Sequence, residues 1–293
     1  MKKMIFSLLA IAAMTSCTTT SEDEIDPNAP VEIKLNAGVK ALARAEVTQA
    51  TGIDNGVQFA RIDGTTADWT TISTISLIGS IAQNTGGITF STTQYYPADG
   101  SNANIVGFYP AATSITDGVA SIKITGEEDV IYAVPVSGNK TSKIDKITFN
   151  HLLTQFNFAI ARETASTNTD ITNVSVTIKE ANTKFNLALA DGRLSGWNTA
   201  ISTIKPIENG TATKTASAAT QKIMLQPDMP SITLIVSADG YSEQDIIIAG
   251  TDEDKFEAGK GYTITLTFKG TGITPSATIS EWGTGTAGGG EVK

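Results

Sequence analysis

The first strong pattern of apolar and polar positions lies in residues 31–44, VEIKLNAGVKALAR. Val31, Ile33, Leu35, Ala37, Val39 and Ala41 alternate with Glu32, Lys34, Asn36, Gly38 and Lys40. A period of two over this length predicts a β-strand with one buried face. Burying Val31, Ile33, Leu35 and Val39 is worth roughly 1.5–3 kcal/mol each, so roughly 6–12 kcal/mol together. That rivals the ~5–15 kcal/mol net stability of an ordinary domain. Arg44 follows between the small residues Ala43 and Ala45, and a cut after it would free the strand from the rest of the chain. Taken alone, the same segment is equally the first strand of a domain with Arg44 in its loop.

Short strands with turn signals between them continue down the chain. Residues 57–62, 75–81, 88–90, 105–109, 119–124 and 130–134 read as strands, with turns at Asn55-Gly56, Gly86-Gly87, Asp99-Gly100 and Asp117-Gly118. The run YYPADGSNANIVGFYP reads as a hairpin-like unit. In ITFNHLLTQFNFAI (147–160) the apolar parity switches, which predicts a bulge near Thr154-Gln155. Val174, Val176 and Ile178, then Ile232, Leu234 and Val236, then Tyr262, Ile264, Leu266 and Phe268 alternate cleanly. Residues 208–220 are Thr/Ala-rich and read as a surface excursion, and Ile273, Ala277 and Ile279 alternate more weakly. Spacing of this kind predicts an all-β sandwich fold. The polar stretch around Gly138-Asn139-Lys140 is the best place for a domain boundary.

Composition adds compartment and partners. At 293 residues the chain suits two domains of about 130 residues each. Its net charge of −9, without a basic stripe, argues against a nucleic-acid partner. The single cysteine, Cys17, excludes an intrachain disulfide. Lys2 and Lys3, the apolar residues 4–14 and then Met14-Thr15-Ser16-Cys17 read as an export signal ending in a lipobox. The apolar run is too short to span a bilayer, so the expected fate of Cys17 is lipid attachment. Residues 18–30 are acidic and Pro-punctuated, a tether; their Glu22, Asp23, Glu24 and Asp26 are either a solvated linker or a surface-export signal.

Candidate chemistry is sparse. His151 is the one histidine and sits in an apolar strand, where a structural hydrogen bond is the common role and a base the rare one. One histidine and one cysteine cannot assemble a zinc ligand set, a Cys–His pair or a serine triad. Glu127-Glu128-Asp129 and Asp252-Glu253-Asp254 read as solvated turns, with weak calcium binding as the alternative. Gly259-Lys260-Gly261 lacks the spacing of a phosphate-binding loop. No catalytic, metal-binding or cofactor-binding residue is predicted, and the chain reads as a non-enzyme.

The lipobox, the alternating strand before Arg44, YYP…FYP, FNHLLTQFNFAI, GKGYTITLTF and ISEW together resemble the fimbrillin family, lipoprotein-derived pilins of gut and oral anaerobes. The resemblance implies two tandem transthyretin-like (Ig-like Greek-key) β-sandwiches. It divides the chain into a signal (1–17), a propeptide of tether and first strand (18–44), and sandwiches at 45–145 and 146–293. It also implies a lipid-anchored outer-membrane precursor, an Arg-specific surface protease cutting between Arg44 and Ala45, and other pilin subunits as partners in a cell-surface fimbria. The strand bearing Val31, Ile33, Leu35, Ala37 and Val39 would leave its groove, and a neighbour's strand would refill it. Ile273, Ala277 and Ile279 form the candidate donor, in which Pro275 needs a place requiring no backbone donor. The competing reading is a surface lipoprotein that binds glycan through Trp69, Trp197 or Trp282, and exposed aromatics on a sandwich face would favour it.

Overall fold

The structure, a computed structural model, describes residues 29–39, 50–164, 169–198, 201–250, 255–269 and 272–280, with 201, 202, 220, 277, 279 and 280 described by backbone alone. In chain order the strands are β1 (Asn36–Val39), β2 (Ile53–Asp63), β3 (Leu77–Ile81), β4 (Ile88–Phe90), β5 (Ala103–Tyr109), β6 (Ser114–Thr116) and β7 (Val119–Lys123). There follow β8 (Ile131–Gly138), β9 (Lys146–His151), β10 (Thr154–Arg162), β11 (Ile171–Asn182), β12 (Lys184–Ala188) and β13 (Leu194–Ser195). The last six are β14 (Ile201–Ala212), β15 (Ser217–Leu225), β16 (Ser231–Ala238), β17 (Tyr241–Ala249), β18 (Gly261–Lys269) and β19 (Gly272–Ser280). One three-residue 3-10 turn, Trp69–Thr71, is the only helical element among the described residues. The fold is all-β.

A seven-stranded sheet runs β1-β9-β8-β5-β2-β3-β4. Its central strand, β5, is buried on both faces: Ala103 and Ile105 point into one core, Val106 and Phe108 into another. The second core lies against the sheet β13-β12-β7-β6, where Ala120 and Ile122 of β7 meet Phe185 and Leu187 of β12. The Tyr132 hydroxyl of β8 donates to the Leu189 carbonyl at 3.0 Å, and burial, with the nearby Asp191 charge, pushes that phenol's pKa upward. The third core fills the space between β15-β10-β18-β19 and β14-β11-β16-β17. Phe156, Phe256 and Tyr262 pack there at ring separations of 4.9–5.9 Å. Clean alternation on β16 and β18 supplies much of its apolar lining, as the sequence predicts.

Several local expectations need correction. The parity switch in 147–160 is not a bulge: β9 ends at His151, the chain crosses at Leu152-Leu153, and β10 starts in another sheet. Each sheet then buries its own parity, Phe149 and His151 in one and Phe156, Phe158 and Ile160 in the other. The YYP and FYP segments do not form a hairpin, because β5 pairs with β2 and β8 instead. Residues 208–220 belong largely to β14 and β15 rather than to a surface excursion; repeated register shifts between β11 and β14 hide the alternation. Strands on either side of residues 145/146 pair with one another, β8 with β9 and β7 with β12.

Candidate functional site

Residues 31–39 carry the alternation that the sequence predicts, although regular strand geometry is confined to β1. Ile33, Leu35, Ala37 and Val39 are 2%, 3%, 4% and 6% exposed, Val31 is half-buried, and Glu32, Lys34 and Asn36 face solvent. Lys34 pairs with Glu32 at 3.4 Å, and this exposed ion pair contributes little. Apolar burial and the backbone therefore hold the segment.

Both of its edges are occupied. On one side β1 runs parallel to β9, pairing Asn36, Ala37, Gly38 and Val39 with Lys146, Ile147, Thr148 and Phe149. On the other side it lies antiparallel to residues 86–96, with isolated bridges Glu32 to Tyr95 and Asn36 to Gly87. Ile33 N–H donates to the Gln94 carbonyl (2.8 Å) and Ala37 N–H to that of Gly86 (2.6 Å). In return, Tyr96 N–H donates to the Val31 carbonyl and Ile88 N–H to that of Leu35, each at 2.9 Å. Residues 31–39 thus join two edges of the same seven-stranded sheet, β9 and the wall 86–96, over a shared apolar floor.

Distant residues build that floor and wall. Phe59 of β2 meets Phe90 (5.1 Å) and Phe149 (6.4 Å) edge-on. Room for its ring depends on Gly107, where an added Cβ would lie 2.8 Å from it. Arg61, also on β2, pairs with Asp63 at 2.7 Å, donates to Gln94 Oε1 at 3.0 Å and to the Tyr95 carbonyl at 2.7 Å. It thereby fixes the part of the wall that receives Ile33. Buried Tyr96 closes the end of the wall, its hydroxyl accepting the Ile144 N–H at 2.7 Å. The short range of sequence patterning gives no sign of these pairings.

The remaining predicted residues fall as follows. Cys17, Arg44, Ala45, Trp282 and the acidic run 252–254 lie outside the described residues. Ile273, Ala277 and Ile279 lie on β19, opposite Phe268, Ile264 and Tyr262 of β18. Trp69 is buried in the 3-10 turn, and the half-buried Trp197 packs its ring 4.4 Å from Phe185, so neither presents a free face. His151 is buried with its Nδ1 2.6 Å from Asp129 Oδ2, both side chains fully enclosed. Asp129 is therefore not part of a solvated turn. Only Glu127 and Glu128 keep that role, with Glu128 accepting from Thr125 N–H at 2.6 Å. Among the described residues no group of three His, Cys, Asp or Glu could hold a metal ion.

Comparison with known proteins identifies what this chain and its fold are similar to. Residues 43–282 match a family described as "Fimbrillin-like". A Bacteroides uniformis protein named "Putative fimbrium subunit Fim1C" is 24% identical, over 99% of this chain and 98% of that one. The fold resembles the crystal structure of a "putative cell adhesion protein" from Bacteroides uniformis, with TM-score 0.64 at 19% identity, covering 86% of this chain and 98% of that one. It also resembles a fimbrial protein from Bacteroides vulgatus, with TM-score 0.57 at 11% identity, covering 86% and 99% respectively.

Proposed function

The chain belongs to the fimbrillin-like family, and from that premise we propose that it is a structural pilin subunit of a cell-surface fimbria with a role in adhesion. The observation that carries this reading is the placement of residues 31–39 between two edges of one sheet, with four alternate apolar side chains buried beneath them. Removing that strand opens two rows of backbone donors and acceptors over an apolar trough, a surface that recruits another strand.

In this reading Cys17 takes the lipid that holds the precursor at the outer membrane. An Arg-specific surface protease cuts after Arg44, and the subunit begins at Ala45. A strand from another subunit fills the vacated groove, and β19, with Ile273, Ala277 and Ile279, is the donor. No catalysis is involved. The packed settings of Trp69 and Trp197 support this reading over the glycan-binding alternative. Mass spectrometry of subunits extracted from surface polymers tests it: chains starting at Ala45 without lipid are expected. Polymers made mostly of chains with an acylated Cys17 would overturn it in favour of a permanently anchored subunit.

A further inference from the structure

The groove has a gap in its hydrogen bonding. An antiparallel pair that exchanges one backbone bond ordinarily exchanges both. Ile88 N–H reaches the Leu35 carbonyl, yet the Leu35 N–H donates to no acceptor among the described residues. The cause is a mismatch in chain length. Between the Gln94 and Ile88 contacts the wall has residues Thr89 to Thr93, where the strand has only Lys34. The wall bows away there, leaving an open cleft of about 320 Å³ beside Leu35, Ile88, Phe90 and Gln94.

The C-terminal strand carries its one proline, Pro275, within the series Ile273, Pro275, Ala277, Ile279. We infer that the C-terminal strand of a second copy enters the groove parallel to β9 in a single register. Ile273 takes the place of Ile33, Pro275 that of Leu35, Ala277 that of Ala37, and Ile279 that of Val39. This rests on the strand-exchange reading above, which names the donor, and specifies its alignment.

Elimination supports the register. Proline has no N–H, and the Ile33 and Ala37 places both require one, for Gln94 and Gly86. A slip of two residues either way puts Pro275 in one of those places. A slip of one turns Thr274, Ser276 and Thr278 into the trough. A slip of four brings Lys269 to the Ile33 place or Glu281 to the Ala37 place. The inferred register avoids all of these and sets alanine on alanine. It requires one adjustment. Thr278 falls where Gly38 stands, and a Cβ there would lie 2.2 Å from Lys146 Cε, so this long, exposed side chain must swing outward.

Paired cysteines test the register in the processed subunit, which starts at Ala45 and lacks Cys17. Because Gly38 pairs with Thr148, the variant T148C/T278C should give a ladder of disulfide-linked subunits on a non-reducing gel, while T148C/S276C and T148C/S280C should not. In parallel, Pro275→Ala should assemble within about twofold of the wild-type rate, because its place demands no donor. Ala277→Pro should stop assembly. Cross-linking through Ser276 or Ser280 instead, or through none of the three in polymers that form normally, would overturn the register and leave strand exchange standing. Polymers from a chain lacking residues 272–293 would overturn strand exchange itself.

Discussion

The first and last strands of the described chain share the same alternation and differ in what holds them. Residues 31–39 have β9 on one edge and the wall 86–96 on the other, and their alternate side chains are buried. Among the described residues β19 pairs with β18 alone; Thr274, Pro275, Ser276 and Thr278 are exposed and Ile273 is half-buried. A strand held on one edge is released at modest cost. One held on both edges, and tethered to its own chain, benefits from a high effective concentration and outcompetes any neighbour's strand. In the strand-exchange reading, that contrast explains why assembly needs a covalent cut after Arg44: the cut would turn an intramolecular plug into a segment that can be lost.

The largest test removes each strand in turn. A chain beginning at Ala45 and kept monomeric should lose about 5–9 kcal/mol of stability, the burial of Ile33, Leu35 and Val39. Deleting 272–293 should cost clearly less. Denaturant melts compare them, and equal losses would break the contrast. Single substitutions sharpen it. Leu35→Ala in the precursor should cost about 2–5 kcal/mol, whereas Ile273→Ala, at a half-buried edge, should cost about 1 kcal/mol.

Two further variants ask whether the groove's frame matters. His151 ends β9, the parallel neighbour of β1, and His151→Leu strands the enclosed Asp129 carboxyl, for an expected loss of about 3 kcal/mol by thermal melt. Arg61→Met frees Gln94 and Tyr95 and should cost about 1–2 kcal/mol. Its signature is local: amide exchange at Ile33 should quicken while β10 and β18 stay protected. Uniform loss of protection would mean that Arg61 supports the whole fold rather than the wall.

How much of this was legible in the sequence depends on range. The burial of residues 31–39 was, because a period of two in Val31 to Val39 reports burial wherever the partner lies. The all-β class and most strands followed from the same signal. The walls around residues 31–39 were not legible. Arg61 reaches Gln94 and Tyr95 more than thirty residues away, and Asp129, just before β8, meets His151 at the end of β9. Nor does periodicity distinguish a bulge from a crossing between sheets, as at Leu152-Leu153. Pro275 was visible as a difficulty. In the inferred register its answer is a backbone N–H at Leu35 with no acceptor among the described residues, which arises from the bowed wall, and residue identities alone do not encode that.

In the strand-exchange reading, residues 31–39 are a plug whose removal permits assembly. The most direct measurement is a time course of Arg-specific proteolysis on purified precursor, followed by size-exclusion chromatography, with Arg44→Ala alongside. Wild-type precursor should be cut after Arg44 and grow into polymer, while Arg44→Ala should stay folded and monomeric and melt no lower than the cleaved monomer. Polymerisation of Arg44→Ala at the wild-type rate would contradict that reading and leave residues 31–39 as no more than the first strand of the sheet.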